Sequence, residues 1–123
     1  NTVGTSVMDI ENNPGHASVT VAADNKVVML NAGDLSTKRE YEMPKGMTFK
    51  EEGGASLHPS GTKFIAGGSD LWLREFDCAS GEALRAFQGH HGPIRCVRYH
   101  PSGKTGASGS EDATIRIWEL EAK

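Results

Sequence analysis

Ser108, His90 and Asp112 are the residue types of a nucleophile, a base and its orienter, and all three lie in one short stretch near the end of the chain. Hydrolytic enzymes use such a set because a serine hydroxyl attacks well only when an imidazole takes its proton and a carboxylate holds the imidazole in place. Ser108 lies in Ala107-Ser108-Gly109-Ser110, however, and not in the G-x-S-x-G elbow that exposes a nucleophile on a sharp turn. His90-His91 offers two imidazoles, but neighbours on an extended strand point to opposite faces, and no third ligand follows at a metal-binding spacing. Glu51-Glu52 reads as a solvated loop and Glu111-Asp112 as a structural element, since neither has the partner acid that carboxylate-pair catalysis needs. Cys78 and Cys96 form no C-x-x-C or ligand spacing and read as reduced thiols. The residues predict no catalytic group, no metal and no cofactor.

The elements that must position these residues are short and numerous. Glycine makes up 15 of 123 residues, well above the usual ~7%, which fits many tight turns. No apolar run approaches the roughly 18 residues that span a bilayer, and the first residues, NTVGTSVMDIEN, lack the basic and apolar regions of a signal peptide. The expected setting is intracellular. The net charge of −3 gives no global attraction to nucleic acid. The chain begins with Asn1, which suggests a processed or partial product.

A self-match organises the rest. HPSGTKFIAGGSDLWLREFD and HPSGKTGASGSEDATIRIWE align with His58 on His100, Gly61 on Gly103, Asp70 on Asp112, Arg74 on Arg116 and Phe76 on Trp118, each pair 42 residues apart. A weaker copy precedes them at an offset of 46, with Asp24 before Asp70 and Leu30 before Phe76; the 42-residue spacing of His16 from His58 then reads as chance. Short strands bounded by turn residues are predicted over 5–10, 17–22, 26–31 and 37–42, then 53–58, 62–67, 71–77 and 83–88, then 94–99, 104–109 and 114–119. The segment 43–54 reads as a long exposed connection. In the last unit Ile115 and Ile117 fall on one face of a strand and Trp118 on the other, as expected of a strand covered on both sides.

Gly89-His90 at one end of the 89–119 stretch and Trp118-Glu119 at the other resemble the Gly-His and Trp-Asp marks of the WD-repeat family, with Glu in place of the final Asp. The resemblance implies an all-β, antiparallel partial β-propeller of nearly three four-stranded blades: a degenerate blade over 1–43, a second over 44–88 and a third over 89–123 that lacks its outer strand. By the same resemblance His90, Ser108, Asp112 and Trp118 form a side-chain hydrogen-bond lock, with Ser110 the second choice for the hydroxyl. The second unit offers Thr48, Ala66 and Phe76 at three of these positions and only Asp70 in common. It must rest on Leu57, Phe64, Ile65, Leu71, Leu73 and Phe76, and is expected to be the less stable blade.

With the strands structural, function is expected on loops. The candidates for partner contact are Ser69, His91, Arg95 and Glu111. Ser69 stands where the family pattern suggests an acidic residue, and Arg95 can pair bidentately with carboxylate or phosphate. Arg98 and Arg116 read as strand residues snorkelling at a blade edge. Within the family, ASLHPSGTKFIAGGSDLWL and the following GHHGPIRCVRYHPSGKTGASGSEDATIRIW are similar to the C-terminal blades of scaffolds tied to the SMN complex, snRNP assembly and mRNA splicing, and to receptor serine-threonine kinase (TGF-beta) signalling. That resemblance implies a non-catalytic protein-binding scaffold in cytoplasm and nucleus. An alternative is an RNA-contacting module using Arg95, Arg98 and Lys104. Since the smallest closed propeller has about four blades, a chain of this length is expected to be the C-terminal piece of a larger, seven-bladed protein.

Overall fold

Turn chemistry decides where each strand stops. The computed structural model describes residues 7–44, 49, 53–69, 72–88 and 92–120. Within them lie β1 (Val7–Asn13), β2 (Ser18–Ala23), β3 (Lys26–Asn31), β4 (Thr37–Glu42), β5 (Gly54–Leu57), β6 (Lys63–Gly67), β7 (Trp72–Asp77), β8 (Ala83–Gln88), β9 (Ile94–Tyr99), β10 (Thr105–Ser110) and β11 (Ile115–Glu119), with one 3₁₀ turn at Pro14–His16. All but the first strand fall within one residue of the sequence expectation at both ends. The first runs on to Asn13 through polar residues that carry no apolar alternation, and Asn13 is held there by its own side chain, which donates to Thr20 Oγ1 at 2.7 Å.

The strands form three antiparallel sheets in the orders β1-β2-β3-β4, β5-β6-β7-β8 and β11-β10-β9. The all-β blade architecture read from the sequence is therefore the observed one. The sheets stack face to face, with β1, β5 and β9 side by side. These three strands run parallel, because Asp9 and Glu11 of β1 meet Ala55 and Leu57 of β5, and Ser56 meets Tyr99 of β9. Side chains alternate across the middle sheet with the period of two that a strand imposes. Phe64, Ala66 and Phe76 join Tyr41, Met29 and Val27 in the seam with the first sheet. Ile65 and Leu73 point the other way and join Ile94, Val97 and Leu120.

The middle sheet thus has Ala66 and Phe76 where the last has Ser108 and Trp118, and both are buried. Phe64 stacks on Phe76 at 5.1 Å and meets Tyr41 at 4.9 Å. Leu57, Phe64, Ile65, Leu73 and Phe76 are all buried as expected, while Leu71 lies outside the described residues.

Two expectations are corrected. The 43–54 connection is not simply exposed: among its described residues Met43 and Phe49 are buried in the first seam, Phe49 completely, and the Phe49 N–H bonds to Asp24 O. Ile115 and Ile117 alternate with Trp118 as predicted, but they are 78% and 71% exposed. Among the described residues no element covers that face of β11, whereas Trp118, on the other face, packs on Phe87 at 5.6 Å.

The turns at one end of the blades carry a second joint between sheets. The pairing of Asn13 with Ser18, of His58 N–H with Lys63 O and of His100 N–H with Thr105 O makes 14–17, 59–62 and 101–104 corresponding turns. In this register His16 lies opposite Gly61, not His58, so its 42-residue spacing from His58 is not the repeat. The two imidazoles nevertheless do the same work. His16 Nε2 lies 2.7 Å from Pro59 O and its ring covers Gly61; His58 Nε2 lies 3.1 Å from Gly103 O and its ring covers Gly103. Both glycines have positive φ, 76° each, and a Cβ on either would come within 2.6 Å of the imidazole above it.

Gly103→Ala should therefore destabilise the chain by about 1–3 kcal/mol through backbone strain and the clash with His58. In a His58→Ala background the clash is absent and a smaller penalty remains. Urea denaturation of the four proteins of this cycle should give a coupling of roughly 0.5–3 kcal/mol, and strict additivity would show that the ring and the turn do not press on each other.

Candidate functional site

Ser108 lies on β10, the middle strand of the last sheet, and is 1% exposed. Trp118 of β11 reaches back to it, and its indole Nε1 donates to Ser108 Oγ at 2.7 Å. In the register Trp118 pairs with Gly106 across the ladder, where a Cβ would run into Leu120. A hydroxyl that is buried and receives an indole N–H is not placed for attack on a substrate. Asp112 occupies the β10–β11 turn, where Oδ1 accepts Thr114 N–H at 2.9 Å and also bonds Thr114 Oγ1. His90 and His91 lie outside the described residues.

Ser110 has a distinct task. Its hydroxyl donates to Gly92 O at 2.8 Å and accepts Asp112 N–H at 3.2 Å, while Glu111 N–H donates to Pro93 O at 3.1 Å. These bonds tie the last hairpin to the segment that enters β9. Sequence comparison placed Ser110 only as a substitute for Ser108, because a repeat match cannot say which of two nearby hydroxyls faces which backbone.

Of the partner-contact candidates, Arg95 and Glu111 come together at the same end of the blades, with Arg95 Nη2 3.6 Å from Glu111 Oε1 and both side chains well exposed. An exposed pair of this kind contributes little to stability, so either member can exchange its partner at small cost. Ser69 is exposed at the β6 end of the same surface.

Arg98 departs from the snorkelling expectation. Its guanidinium grips the Asp9 carboxylate through both terminal nitrogens, Nη2 to Oδ1 at 2.8 Å, and its Nε lies 3.5 Å from Glu11 Oε2. The bonds to Asp9 raise the Arg98 pKa further, against the opposing effect of burial. The same carboxylates serve the neighbouring strand, Glu11 accepting Leu57 N–H at 2.9 Å and Ser56 Oγ–H at 2.8 Å.

Glu75, unlike the partly buried Asp9 and Glu11, is 2% exposed between the last two sheets. It accepts from Arg85 Nε at 3.1 Å and Tyr99 OH at 3.3 Å, with Lys63 Nζ at 3.6 Å. Burial, and then the charge of Glu75, push the Tyr99 hydroxyl far above its usual range. Asp9 and Glu11 share a strand face by their spacing of two, which was a readable signal; nothing in the sequence marks Glu75 as buried. Cys78 is buried and Cys96 exposed, and burial pushes the Cys78 thiol up. Among the described residues no group of three or more His, Cys, Asp or Glu could hold a metal.

Three stacked antiparallel sheets and a Ser–Trp bond closing the last define a class of repeat protein. Residues 81–119 match the family described as WD domain, G-beta repeat, so this part of the chain carries a WD repeat. It is similar to the serine-threonine kinase receptor-associated protein of Dictyostelium discoideum, 37% identical over 114 residues that cover 93% of this chain and 37% of that protein. The Homo sapiens protein of the same name is also 37% identical over 114 residues, covering 93% of this chain and 31% of its own length. The mRNA export factor GLE2 of Chaetomium thermophilum is 41% identical over 64 residues, 50% of this chain and 18% of that protein. The chain thus spans about a third of the length of the receptor-associated relatives.

Ser108→Ala leaves the Trp118 N–H without its acceptor and should cost about 1–3 kcal/mol, while the double variant with Trp118→Phe should cost less than the two single losses combined. Equilibrium denaturation checks this. In native buffer a thiol reagent should modify Cys96 quickly and Cys78 only after unfolding, and equal rates would contradict the burial of Cys78.

Proposed function

We propose that the chain is part of a non-catalytic protein-interaction scaffold of the serine-threonine kinase receptor-associated type. The observation that carries the reading is the likeness to those proteins across 93% of the chain. The use of Ser108 inside a blade supports it, because the most enzyme-like side chain is spent on packing. The lock completed by His90 and Asp112 holds the last blade in register, and the adjacent loop residues Ser69, His91, Arg95 and Glu111 meet partners. The finer role is assembly of spliceosomal snRNPs with SMN-complex components, together with receptor serine-threonine kinase (TGF-beta) signalling, in cytoplasm and nucleus.

The RNA-contacting alternative is the weaker reading. Of its three cations, Arg98 is held by Asp9 and Glu11, and Arg95 lies beside Glu111. A phosphate-driven complex would also weaken steeply as salt rises.

Affinity purification of the tagged full-length protein from its own cells, at low and at moderate salt, tests both. SMN-complex or receptor-kinase proteins should be recovered at both salt levels, and Arg95→Glu with Glu111→Arg should reduce recovery without changing the fold by circular dichroism. Recovery of neither class would overturn the finer role. RNA-dependent recovery that disappears with salt would replace the scaffold reading with the alternative.

A further inference from the structure

A groove runs between the first two sheets at the end of the blades opposite Arg95 and Glu111. Its volume is 390 Å³, at the small end of ligand sites, which run to about 300–1,000 Å³. The floor is apolar, built from Met29, Leu57 and Cys78, all buried. The rim carries Lys38 and Arg39 from β4, an outer strand that is exposed along most of its length, and His16 from the first turn. Asp77, the one acid lining it among the described residues, is engaged by its own turn: Oδ2 accepts both the N–H and the hydroxyl of Ser80 at 2.9 Å, and these bonds hold its carboxyl below the usual carboxylate range. Arg39 is braced by donating from Nη1 to the Cys78 carbonyl, and its charge also contributes to lowering the Asp77 carboxyl, which leaves Lys38 and His16 to keep the rim positive.

The groove therefore joins an apolar floor to a positive rim on a chain whose net charge is −3. We infer that it docks a short acidic segment of a partner protein, with an aliphatic side chain seated against Met29 and Leu57 and a flanking carboxylate paired with Arg39 and Lys38. Charge complementarity selects this occupant. A second copy of this chain offers Asp34-Leu35 and Glu119-Leu120-Glu121, but Asp34 is engaged by Ser36 and Leu120 is fully buried, and a polyanion without apolar groups would leave the floor unfilled. The inference rests on the scaffold reading and names the chemistry of one of its partners.

The test is fluorescence anisotropy with a labelled peptide in which leucines are flanked by aspartates, titrated with the full chain. Saturable binding is expected, with a loss of about tenfold in Lys38→Glu and more in Arg39→Glu. Ala79→Trp, which crowds the groove without touching a charge, should reduce binding as well. Lys104→Glu, a cation elsewhere on the same end, should leave it unchanged. If Arg39→Glu disturbs the fold through its tie to Cys78, Lys38→Glu and Ala79→Trp still decide. No saturable binding, equal losses in Lys104→Glu and Lys38→Glu, or equal affinity for oligoglutamate or single-stranded RNA would each overturn the groove. Loss of peptide binding in these variants without loss of the cellular partners would confine the failure to the identity of the groove's ligand and leave the scaffold reading standing.

Discussion

A sheet that stands on edge beside another leaves its innermost strand with a row of backbone N–H groups that no ladder can satisfy. Everything else in this molecule depends on how those groups are met. Buried donors without acceptors are costly, and here the neighbouring blade supplies the acceptors. Asp9 and Glu11 take N–H groups of Ala55 and Leu57, and Ser56 takes that of Tyr99. β5 and β9 are thereby each completed by the inner strand before them, and the carboxylates of β1 need a counter-cation, which Arg98 provides from the third blade. The apolar seams then fill in behind this polar axis.

The two seams achieve closeness by different chemistry. The first is aromatic and sulfur-rich, with Tyr41, Phe49, Phe64, Phe76, Met29 and Met43 packed together and the Tyr41 hydroxyl bonded to Cys78 O at 2.7 Å. The second is smaller and aliphatic, and it encloses an ionic group. A buried charge without partners would be prohibitive, and Glu75 is tolerated because Arg85, Lys63 and Tyr99 surround it. Arg85 reaches beyond the acid to the carbonyl of Leu120, so the same cluster holds down the segment that follows the last strand.

Strand positions were legible in the sequence because turns and alternation are local properties. Pro59-Ser60-Gly61 and Pro101-Ser102-Gly103 had to interrupt pairing, and the apolar alternation of 62–67 and 71–77 had to put side chains on both faces. The Ser108–Trp118 contact was legible through resemblance. What escaped was anything decided by a neighbour. Ile115 and Leu73 occupy equivalent repeat positions, yet one is exposed and the other wholly buried, because Leu73 has another sheet against it. His16 looked like a coincidence in spacing, since a repeat comparison sees register and not the reach of a side chain. Phe49 looked like part of an open loop for the same reason.

The histidine joints bear on how this architecture can change over time. His16 meets the turn whose glycine is Gly61, and His58 meets the turn whose glycine is Gly103, so each spans 45 residues from ring to glycine. The two rings start from different positions in their blades, yet each presses on the glycine of the following blade's turn. An insertion in any of these turns would move the glycine away from its ring and alter the pitch of the stack. The opposite end carries no such joint in the described residues, and its connections already differ in length: eleven residues separate β4 from β5, while five separate β8 from β9. Sequence novelty is therefore expected to accumulate at one end of the blades while the other keeps the geometry.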